Sequence, residues 1–221
     1  MRKMISLAVV ALLASSMSAQ TIANMKDLNA EKKSAAINLK LTGTLTTEKN
    51  SDFRQLRDLC WQLRNLDLSE STCPVLPKNA FHSRHHLQHI ILPNQLQEIG
   101  TQAFFACDNL QEMVIPKSVT KVGAAAFSGC KSLKNITIEG TPEIGEFAFA
   151  NLEGVQVIKV NSSVPPKAAA TAFSGVNMRG VKLVMSRGSE KAYRKAQGWK
   201  AFFGEVKQAR EVCNPEACLI P

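Results

Sequence analysis

Every histidine of the 221-residue chain lies in the stretch FHSRHHLQHI, at His82, His85, His86 and His89. His82 and His86 are four residues apart, as are His85 and His89. On a helix this spacing puts two imidazoles on one face, where they could bind zinc. The stretch has no Glu in the H-E-x-x-H arrangement of a zinc protease. Whether the spacing forms a metal site therefore depends on the backbone that carries it.

Four of the six cysteines indicate two kinds of chemistry. Cys107 and Cys130 each lie three residues after a phenylalanine. Their core-type neighbours favour buried thiols that pack as small hydrophobic groups. Cys213 and Cys218 close the short segment CNPEAC. The segment is a short polar loop that contains a proline, so we predict a terminal disulfide between these two.

The sequence contains no group of residues with the spacing of a catalytic site. There is no G-x-S-x-G motif and no glycine-rich phosphate loop. The acidic residues are scattered, whereas glycoside hydrolysis needs a pair of carboxylates in a cleft. The histidines approach a core-type cysteine only in sequence, which is weak support for Cys-His catalysis. We therefore predict that the chain is not an enzyme and uses no cofactor or metal.

The elements that must position these residues are repeated units of 22 to 24 residues. The units begin at Leu63, Leu87, Leu110, Leu133, Val155 and Met178. The best-matched units contain alternating apolar residues typical of a short strand, then an Ile-Gly or Val-Gly pair, then Ala-Phe. Such a period lies in the leucine-rich-repeat range. Because one unit cannot bury its apolar face alone, stacked units must share a continuous core.

In repeat register the histidines fall on a turn and a strand. His85 and His86 align with the turn residues Asp108 and Asn109, and His89 aligns with an outward strand position. The helical zinc geometry therefore does not hold throughout the stretch. The pattern favours solvated turn histidines, with weak metal binding by a turn as the alternative.

The consensus sequence of the repeat closely resembles the BspA-like class of bacterial leucine-rich repeats. The residues that carry the resemblance are L-x-x-I-x-I-P, then I-G-x-x-A-F-x-x-C, with INLKLTG as the opening cap and SRGSEKAYRKAQGWKAF as the ending. The resemblance covers about residues 37–203. Departures are Glu139 and Asn161 in place of the repeat proline, and Arg84 in place of the repeat cysteine. It implies an exported, often surface-displayed protein of anaerobic bacteria, associated with adhesion to host proteins or other cells.

The predicted fold is an α/β leucine-rich-repeat solenoid of about six coils, with short parallel strands on its concave face and a cap at each end. The predicted organisation is a signal peptide at 1–19, an N-terminal segment and cap at 20–62, the repeats at 63–184, and a C-terminal cap and basic tail at 185–221.

Each predicted cap contains a short helix. Asp52 is the expected N-cap of the first helix, with Gln55 completing a capping box. Ser189 is the expected N-cap of the second helix. Cys60 and Cys73 lie near the first coil, and the sequence leaves open whether they pair.

The first 19 residues have the order of a secretory signal peptide. Arg2 and Lys3 precede an apolar run, and small residues follow. The run is too short to anchor in a bilayer, and no later run reaches membrane length. We therefore predict an exported protein without a transmembrane segment, which is secreted, periplasmic or associated with the cell surface.

The formal net charge of +9 is concentrated between Met178 and Arg210. Lys191, Arg194 and Lys195 would share one surface of the second cap helix, where they could attract anionic glycans or envelope phosphates. A solvated cap surface is the alternative reading of this charge. An exported protein meets acidic glycans more often than nucleic acid, so no nucleic-acid partner is predicted.

Outward strand positions form the predicted binding surface, because the concave side of a solenoid is its usual recognition surface. The predicted ligand-binding residues are Asp67, His89, Ile91, Glu112, Val114, Asn135, Thr137, Lys159 and Lys182. In the last coil Gly180 is expected to align with Val157, and Lys182 with Lys159. Ile91 and Val114 would form a small exposed apolar pair, which marks a partner site or reflects ordinary β-propensity.

These features together predict a non-catalytic recognition or adhesion module. It would bind a host or bacterial surface protein or glycan through the concave face. The alternatives are an electrostatic binder that uses the basic C-terminal cap, and an envelope scaffold protein.

Overall fold

The computed structural model describes residues 21–47 and 51–203. Its helices are α1 (Ala30–Ala35), α2 (Asp52–Leu59) and α3 (Glu190–Lys195), with 3-10 turns at Met25–Asp27, Met178–Gly180 and Lys200–Phe203. Its strands are β1 (Thr21–Ala23), β2 (Asn38–Thr44), β3 (Asn65–Thr72), β4 (Val75–Leu76), β5 (His89–Ile91), β6 (Glu98–Ile99), β7 (Glu112–Ile115), β8 (Lys121–Val122), β9 (Asn135–Ile138), β10 (Glu143–Ile144), β11 (Val157–Val160) and β12 (Lys182–Met185). The predicted signal peptide and the predicted Cys213–Cys218 disulfide lie outside the described residues.

The strands form three parallel sheets, with orders β1-β2-β3-β5, β4-β6-β8-β10 and β7-β9-β11-β12. Neighbours come from successive coils: Glu98 pairs with Lys121, and Lys121 pairs with Glu143. The amide of Gln111, just before β7, donates to the carbonyl of Gln88, just before β5, at 3.0 Å. This bond makes the third sheet continuous with the first. The chain is therefore a parallel-strand solenoid, which confirms the predicted fold.

Alternation along each strand places one set of side chains in the core. In β7 Met113 and Ile115 are buried, whereas Glu112 and Val114 are only half-buried. Successive side chains of a strand point to opposite faces, so period-two apolar residues bury one face of each strand. The alternating Ile and Leu positions of the repeat are thus explained by one shared core.

A column of stacked aromatic rings runs along the interior. Its members are Phe81, Phe104, Phe127, Phe149 and Phe173, with successive ring centroids 5.2, 5.1, 5.3 and 5.4 Å apart. At one end Phe53 of α2 meets the column edge-on at 5.9 Å. At the other end Trp199 lies 5.1 Å from the last ring and donates its indole N–H to the carbonyl of Pro166 at 2.7 Å. Both caps therefore close the core with aromatic side chains.

Glycine lies where the backbones of adjacent coils approach most closely. A Cβ placed on Gly123 would lie 2.5 Å from the amide nitrogen of Thr101. A Cβ on Gly100 would lie 2.6 Å from the carbonyl oxygen of Leu76. Because real Cβ atoms do not approach the backbone so closely, only glycine fits. This contact explains the Ile-Gly and Val-Gly pairs of the repeat.

The N-cap of α2 is Ser51 and not Asp52, so that prediction was wrong by one residue. The Ser51 hydroxyl oxygen accepts a hydrogen bond from the amide of Arg54 at 3.2 Å. The buried Asp52 carboxylate instead accepts from the amide and the hydroxyl of Thr46, at 2.8 and 3.0 Å. Asp52 therefore holds the start of α2 against the segment that follows β2.

The N-cap of α3 is Ser189, as predicted, but its side chain does not cap the helix. Ser189 has helical backbone angles and makes no side-chain cap hydrogen bond. Its hydroxyl donates to the carbonyl of Ser186 at 2.6 Å. Tyr193 and Trp199 are fully buried and close the last coil. Tyr193 also donates its hydroxyl to the carbonyl of Ser162 at 3.1 Å, which ties α3 to the coil below it.

The cysteine slot of the repeat holds buried thiols, as predicted. Cys107 and Cys130 are free and fully buried, and their thiols donate to the carbonyls of Phe81 and Phe104 at 3.0 Å. The hydrogen bond with Cys107, together with burial, raises the pKa of Cys130 well above its usual value. The Cys130 thiol therefore stays protonated, and both buried cysteines act as packing groups.

Cys60 and Cys73 are likewise free and buried, so the disulfide that the sequence left open is not formed. Burial raises the pKa of each thiol to about 11. Arg84, which replaces the repeat cysteine, donates through its guanidinium to the carbonyls of Arg57 and Cys60. The last carbonyls of a helix have no partner within the helix, so Arg84 stabilises the end of α2.

Candidate functional site

The outward residues of seven strands form one continuous surface, here called the strand face. Those of β2, β3, β5, β7, β9, β11 and β12 form two columns: Asn38, Asn65, His89, Glu112, Asn135, Val157 and Lys182, and Lys40, Asp67, Ile91, Val114, Thr137, Lys159 and Val184. Every member is half-buried or exposed. The inner face of the same strands supplies the core.

All nine predicted ligand-binding residues lie on the strand face, but the last strand is shifted. Lys182 pairs with Val157, and Val184 pairs with Lys159. Gly180 belongs to the 3-10 turn that precedes β12. That turn delays the start of the strand by two residues, so the predicted alignment of the last coil was wrong.

Five residues of the strand face are outside the nine predicted ones: Asn65 and Val157 were expected only to face outward, and three others were missed altogether. Asn38 and Lys40 come from β2, which had been assigned to the cap, and Val184 comes from the shifted β12. The alternation in INLKLTG was a usable signal, since it puts Asn38 and Lys40 opposite the buried Leu39 and Leu41.

Hydrogen bonds between coils order the polar half of the strand face. The amide of Asn65 donates to Asn38 Oδ1 at 2.5 Å, and that of Asn135 donates to Glu112 Oε1 at 3.3 Å. The Oδ1 atom of Asn65 is buried and has no partner among the described residues. It is therefore an acceptor left unsatisfied on this surface.

Charge changes sign along the strand face. At the N-terminal end Lys40 Nζ lies 3.9 Å from Asp67 and 2.5 Å from Glu70. The hydrogen bond to Glu70 raises the pKa of Lys40. At the C-terminal end Lys159 and Lys182 are exposed, and neither forms a salt bridge with a described residue. The two free cations make the C-terminal end the attractive end for an anion.

On the strand face, the pKa of His89 lies below the usual value of a histidine. Burial lowers the pKa of His89 below 6.5, and the nearby Glu112 carboxylate opposes this shift. Above pH 6.5 the imidazole is neutral in both the folded and the unfolded chain. Below that value the unfolded chain binds the proton more readily, so stability is lost as pH falls through the folded pKa.

We therefore expect His89→Asn to reduce the acid sensitivity of folding. The free energy of unfolding of the wild-type chain should fall more between pH 7.5 and pH 5 than that of the variant. Urea unfolding at both pH values measures the difference. Equal losses in the two proteins would contradict this assignment.

The other histidines are dispersed over the turns of the solenoid. His85 Nδ1 lies 2.8 Å from Asp108 Oδ2, and the His82 ring stacks on Phe105 with centroids 5.0 Å apart. Among the described residues, no group of three or more His, Cys, Asp or Glu side chains is placed to hold a metal ion. The turn placement predicted for His85 agrees with the structure.

The predicted anion-binding residues Lys191, Arg194 and Lys195 are exposed on α3. Arg194 is already engaged, since it donates to Glu190 at 2.6 and 2.8 Å. Its guanidinium also lies 4.7 Å from the centre of the Phe203 ring. Within the described ranges, no helix is both long and apolar enough to cross a membrane.

Comparison with known protein families supports the architecture. The BspA type Leucine rich repeat region matches residues 54–179 in 6 copies. No curated protein matches the chain. A leucine-rich repeat protein from Bacteroides ovatus is similar at 23% identity, with a TM-score of 0.43, over 61% of this chain and 36% of that one.

The pneumococcal vaccine antigen PcpA is similar at 19% identity, with a TM-score of 0.53, over 77% of this chain and 40% of that one. This likeness is one of fold alone. The chain spans less than half the length of either solved protein. Because the family match covers more than half of the chain, the protein belongs to the BspA-type leucine-rich-repeat family.

Proposed function

We propose that the chain is an exported, non-catalytic recognition module that binds a protein or glycan through the strand face. The observation that carries this proposal is the contrast between the two faces of the same strands. The inward residues of β7 and β9 are Met or Ile, whereas the outward ones are Glu, Val, Asn and Thr. The inward set supplies the core, whereas the outward set is available for contacts.

The shape of the strand face favours a narrow ligand. Seven strands about 4.8 Å apart span roughly 30 Å, whereas the two outward columns are only about 7 Å apart. This strip suits an extended peptide or glycan chain that crosses the strands, because a globular partner usually needs about 800 Å² on each side.

The chemistry of the strand face favours a ligand with three different parts. The N-terminal end offers the side-chain amides of Asn38 and Asn65 and the carboxylate of Asp67 for hydrogen bonds. Ile91 and Val114 supply half-buried aliphatic surface in the middle. Lys159 and Lys182 would bind an acidic group at the C-terminal end.

Export is part of this proposal. It is supported by the charged, apolar and small-residue order of residues 1–19 and by the family to which the chain belongs. The module would then act in the periplasm, at the cell surface or in the medium, on a host or bacterial surface protein or glycan.

A second candidate is electrostatic binding of anionic glycans or envelope surfaces by the C-terminal cap. The exposure of Lys191 and Lys195 supports it, and the engagement of Arg194 by Glu190 weakens it. Binding of this kind falls steeply with salt because counterions screen exposed charges. An envelope scaffold role would show instead as a bacterial partner that copurifies.

The test is a binding survey with the chain from residue 20 to residue 221. Host matrix proteins and neutral and acidic glycans would be probed at low and at physiological salt. We expect binding that persists at physiological salt and that Glu112→Lys weakens about tenfold, since about 1.4 kcal/mol of lost contacts and repulsion suffices.

The matched control is Glu143→Lys, which makes the same change at an exposed residue of β10, in the β4-β6-β8-β10 sheet. It should leave the affinity within about twofold. Equal losses from both variants would contradict recognition by the strand face. Binding that appears only at low salt would favour the C-terminal cap.

A further inference from the structure

An open cavity of about 380 Å³ lies where α2 meets the turn before β5. It is lined by Arg57, Asp58, Asn79, His82 and Arg84. All five side chains are polar, and none belongs to the strand face. The volume falls in the range of about 300–1,000 Å³ that is typical of small-molecule sites. The cavity is therefore a second candidate site, separate from the strand face.

Arg57 and Asp58 form a fixed polar wall. Arg57 donates to both carboxylate oxygens of Asp58, from Nε at 2.8 Å and from Nη2 at 3.4 Å. Arg57 Nη1 also donates to the carbonyl of Asn79 at 3.2 Å. The hydrogen bond from Arg57 lowers the pKa of Asp58, so the carboxylate stays ionised as an acceptor.

Contacts outside the cavity hold the side chains of Arg84 and His82 in place. Arg84 uses both terminal nitrogens on the backbone carbonyls at the end of α2. His82 Nδ1 lies 2.9 Å from Ser83 Oγ, and its ring stacks on Phe105. The Nε atom of Arg84 and the Nε2 atom of His82 make no hydrogen bond to a described residue. Each side chain is thus held in place with one polar atom unused.

The Asn79 side chain is the unsatisfied member of the set. Its amide makes no hydrogen bond to a described residue, and its Oδ1 atom is buried. The residue also has a left-handed backbone, with φ of 59°. A buried acceptor without a partner costs stability. Asn79 lines the cavity, so a ligand hydroxyl there would supply a hydrogen-bond partner for its side chain.

The chemistry of the lining selects the ligand. Two arginines and one ionised aspartate give the wall a net charge of +1 (+2 − 1), which disfavours a cation. A simple anion would lie near the ionised Asp58 carboxylate and would leave the Asn79 oxygen without a hydrogen-bond donor. A sugar supplies several hydroxyls, and a carboxylate on it would match the excess positive charge.

We propose that this cavity binds a single sugar residue that carries a carboxylate. Its hydroxyls donate to Asp58 and Asn79, and its carboxylate lies toward Arg84 and His82. The site would add an acidic-sugar contact at one end of the solenoid, independent of any ligand of the strand face.

The test uses NMR titration of the full chain with three probes: glucuronic acid, glucose and acetate. Glucuronic acid has both hydroxyls and a carboxylate, whereas glucose lacks the charge and acetate lacks the hydroxyls. We expect glucuronic acid to bind at least about fivefold more tightly than either, because each of the others loses one set of contacts. Equal binding of glucose or acetate would overturn the proposal, as would no binding of glucuronic acid at tens of millimolar.

Two variants locate the binding. Asn79→Gly removes the amide and keeps the left-handed backbone, and Asp58→Asn removes the charge of the acceptor. Each should weaken glucuronic acid about fivefold or more, the usual effect of one lost hydrogen bond. Gln102→Gly is the matched control, since Gln102 occupies the same position of the next coil with φ of 56°. An equal loss in the control would overturn the proposal.

Failure of this site and failure of the strand face are distinguishable. Glu112→Lys changes only the strand face and should leave glucuronic acid binding within about twofold. A loss of glucuronic acid binding in that variant would place the sugar on the strand face and overturn the cavity assignment.

Discussion

Phe127→Ala is expected to lower the free energy of unfolding by about 3–5 kcal/mol. Phe127 is fully buried and stacks between Phe104 and Phe149, with centroids 5.1 and 5.3 Å away. Its removal opens a cavity at the middle of the column. The surrounding coils cannot collapse into the space, because hydrogen bonds such as Phe127 N–H to the Ala148 carbonyl at 2.7 Å fix their separation.

Chemical unfolding followed by far-UV circular dichroism measures this loss. Phe147→Ala is the matched control, since Phe147 lies in the next coil but is 45% exposed. Its ring leaves no cavity when it is removed, so we expect a change within about 0.5 kcal/mol. If the two variants lose similar stability, the aromatic column is not what holds the interior coils together.

Gly123→Ala is expected to cost about 3 kcal/mol or more, although it adds only one methyl group. The added Cβ would lie 2.5 Å from Thr101 N and 2.7 Å from Gly100 C. Backbone atoms cannot rotate away as a side chain can, so two coils would have to separate locally. The hydrogen bond from Gly123 N–H to the Ile99 carbonyl, 2.7 Å long, would be strained in the process.

The same unfolding assay tests this expectation, with Gly180→Ala as control. A Cβ on Gly180 would meet only Asn177 Nδ2, at 3.8 Å. We therefore expect a change below about 1 kcal/mol at that position. An unfolding midpoint of Gly123→Ala that equals the wild-type value would show that adjacent coils are less tightly apposed than the structure has them.

The repeat made most of the fold predictable from the sequence. Core positions such as Met113, Ile136 and Phe127 recur at fixed intervals. Each repeated unit therefore supports the assignment of the same positions in the other units. The placement of His85 in a turn followed from the same alignment. That placement argued against a helix with two histidines on one face that bind zinc. The strand face was predictable for the same reason, because outward positions alternate with the buried ones.

The sequence was less informative where the repeat breaks. The 3-10 turn at Met178–Gly180 shifted Lys182 by two positions, and one unit offers no period to reveal such a shift. Asp52 and Ser51 are both good N-cap residues, so the position of Thr46 decided between them. The cavity beside Arg84 depends on packing between the cap and the first coil, which no repeat pattern encodes.

The cysteine slot distinguishes interior coils from the first coil, and this difference bears on how such a chain can evolve. Cys107 and Cys130 make the same contact with the preceding coil, whereas Arg84 contacts α2. Duplication of the gene segment for an interior coil would insert a unit whose two edges fit its new neighbours. Duplication of the first coil would place an arginine where a thiol belongs. The length of the strand face can therefore change by whole interior coils while both caps stay the same.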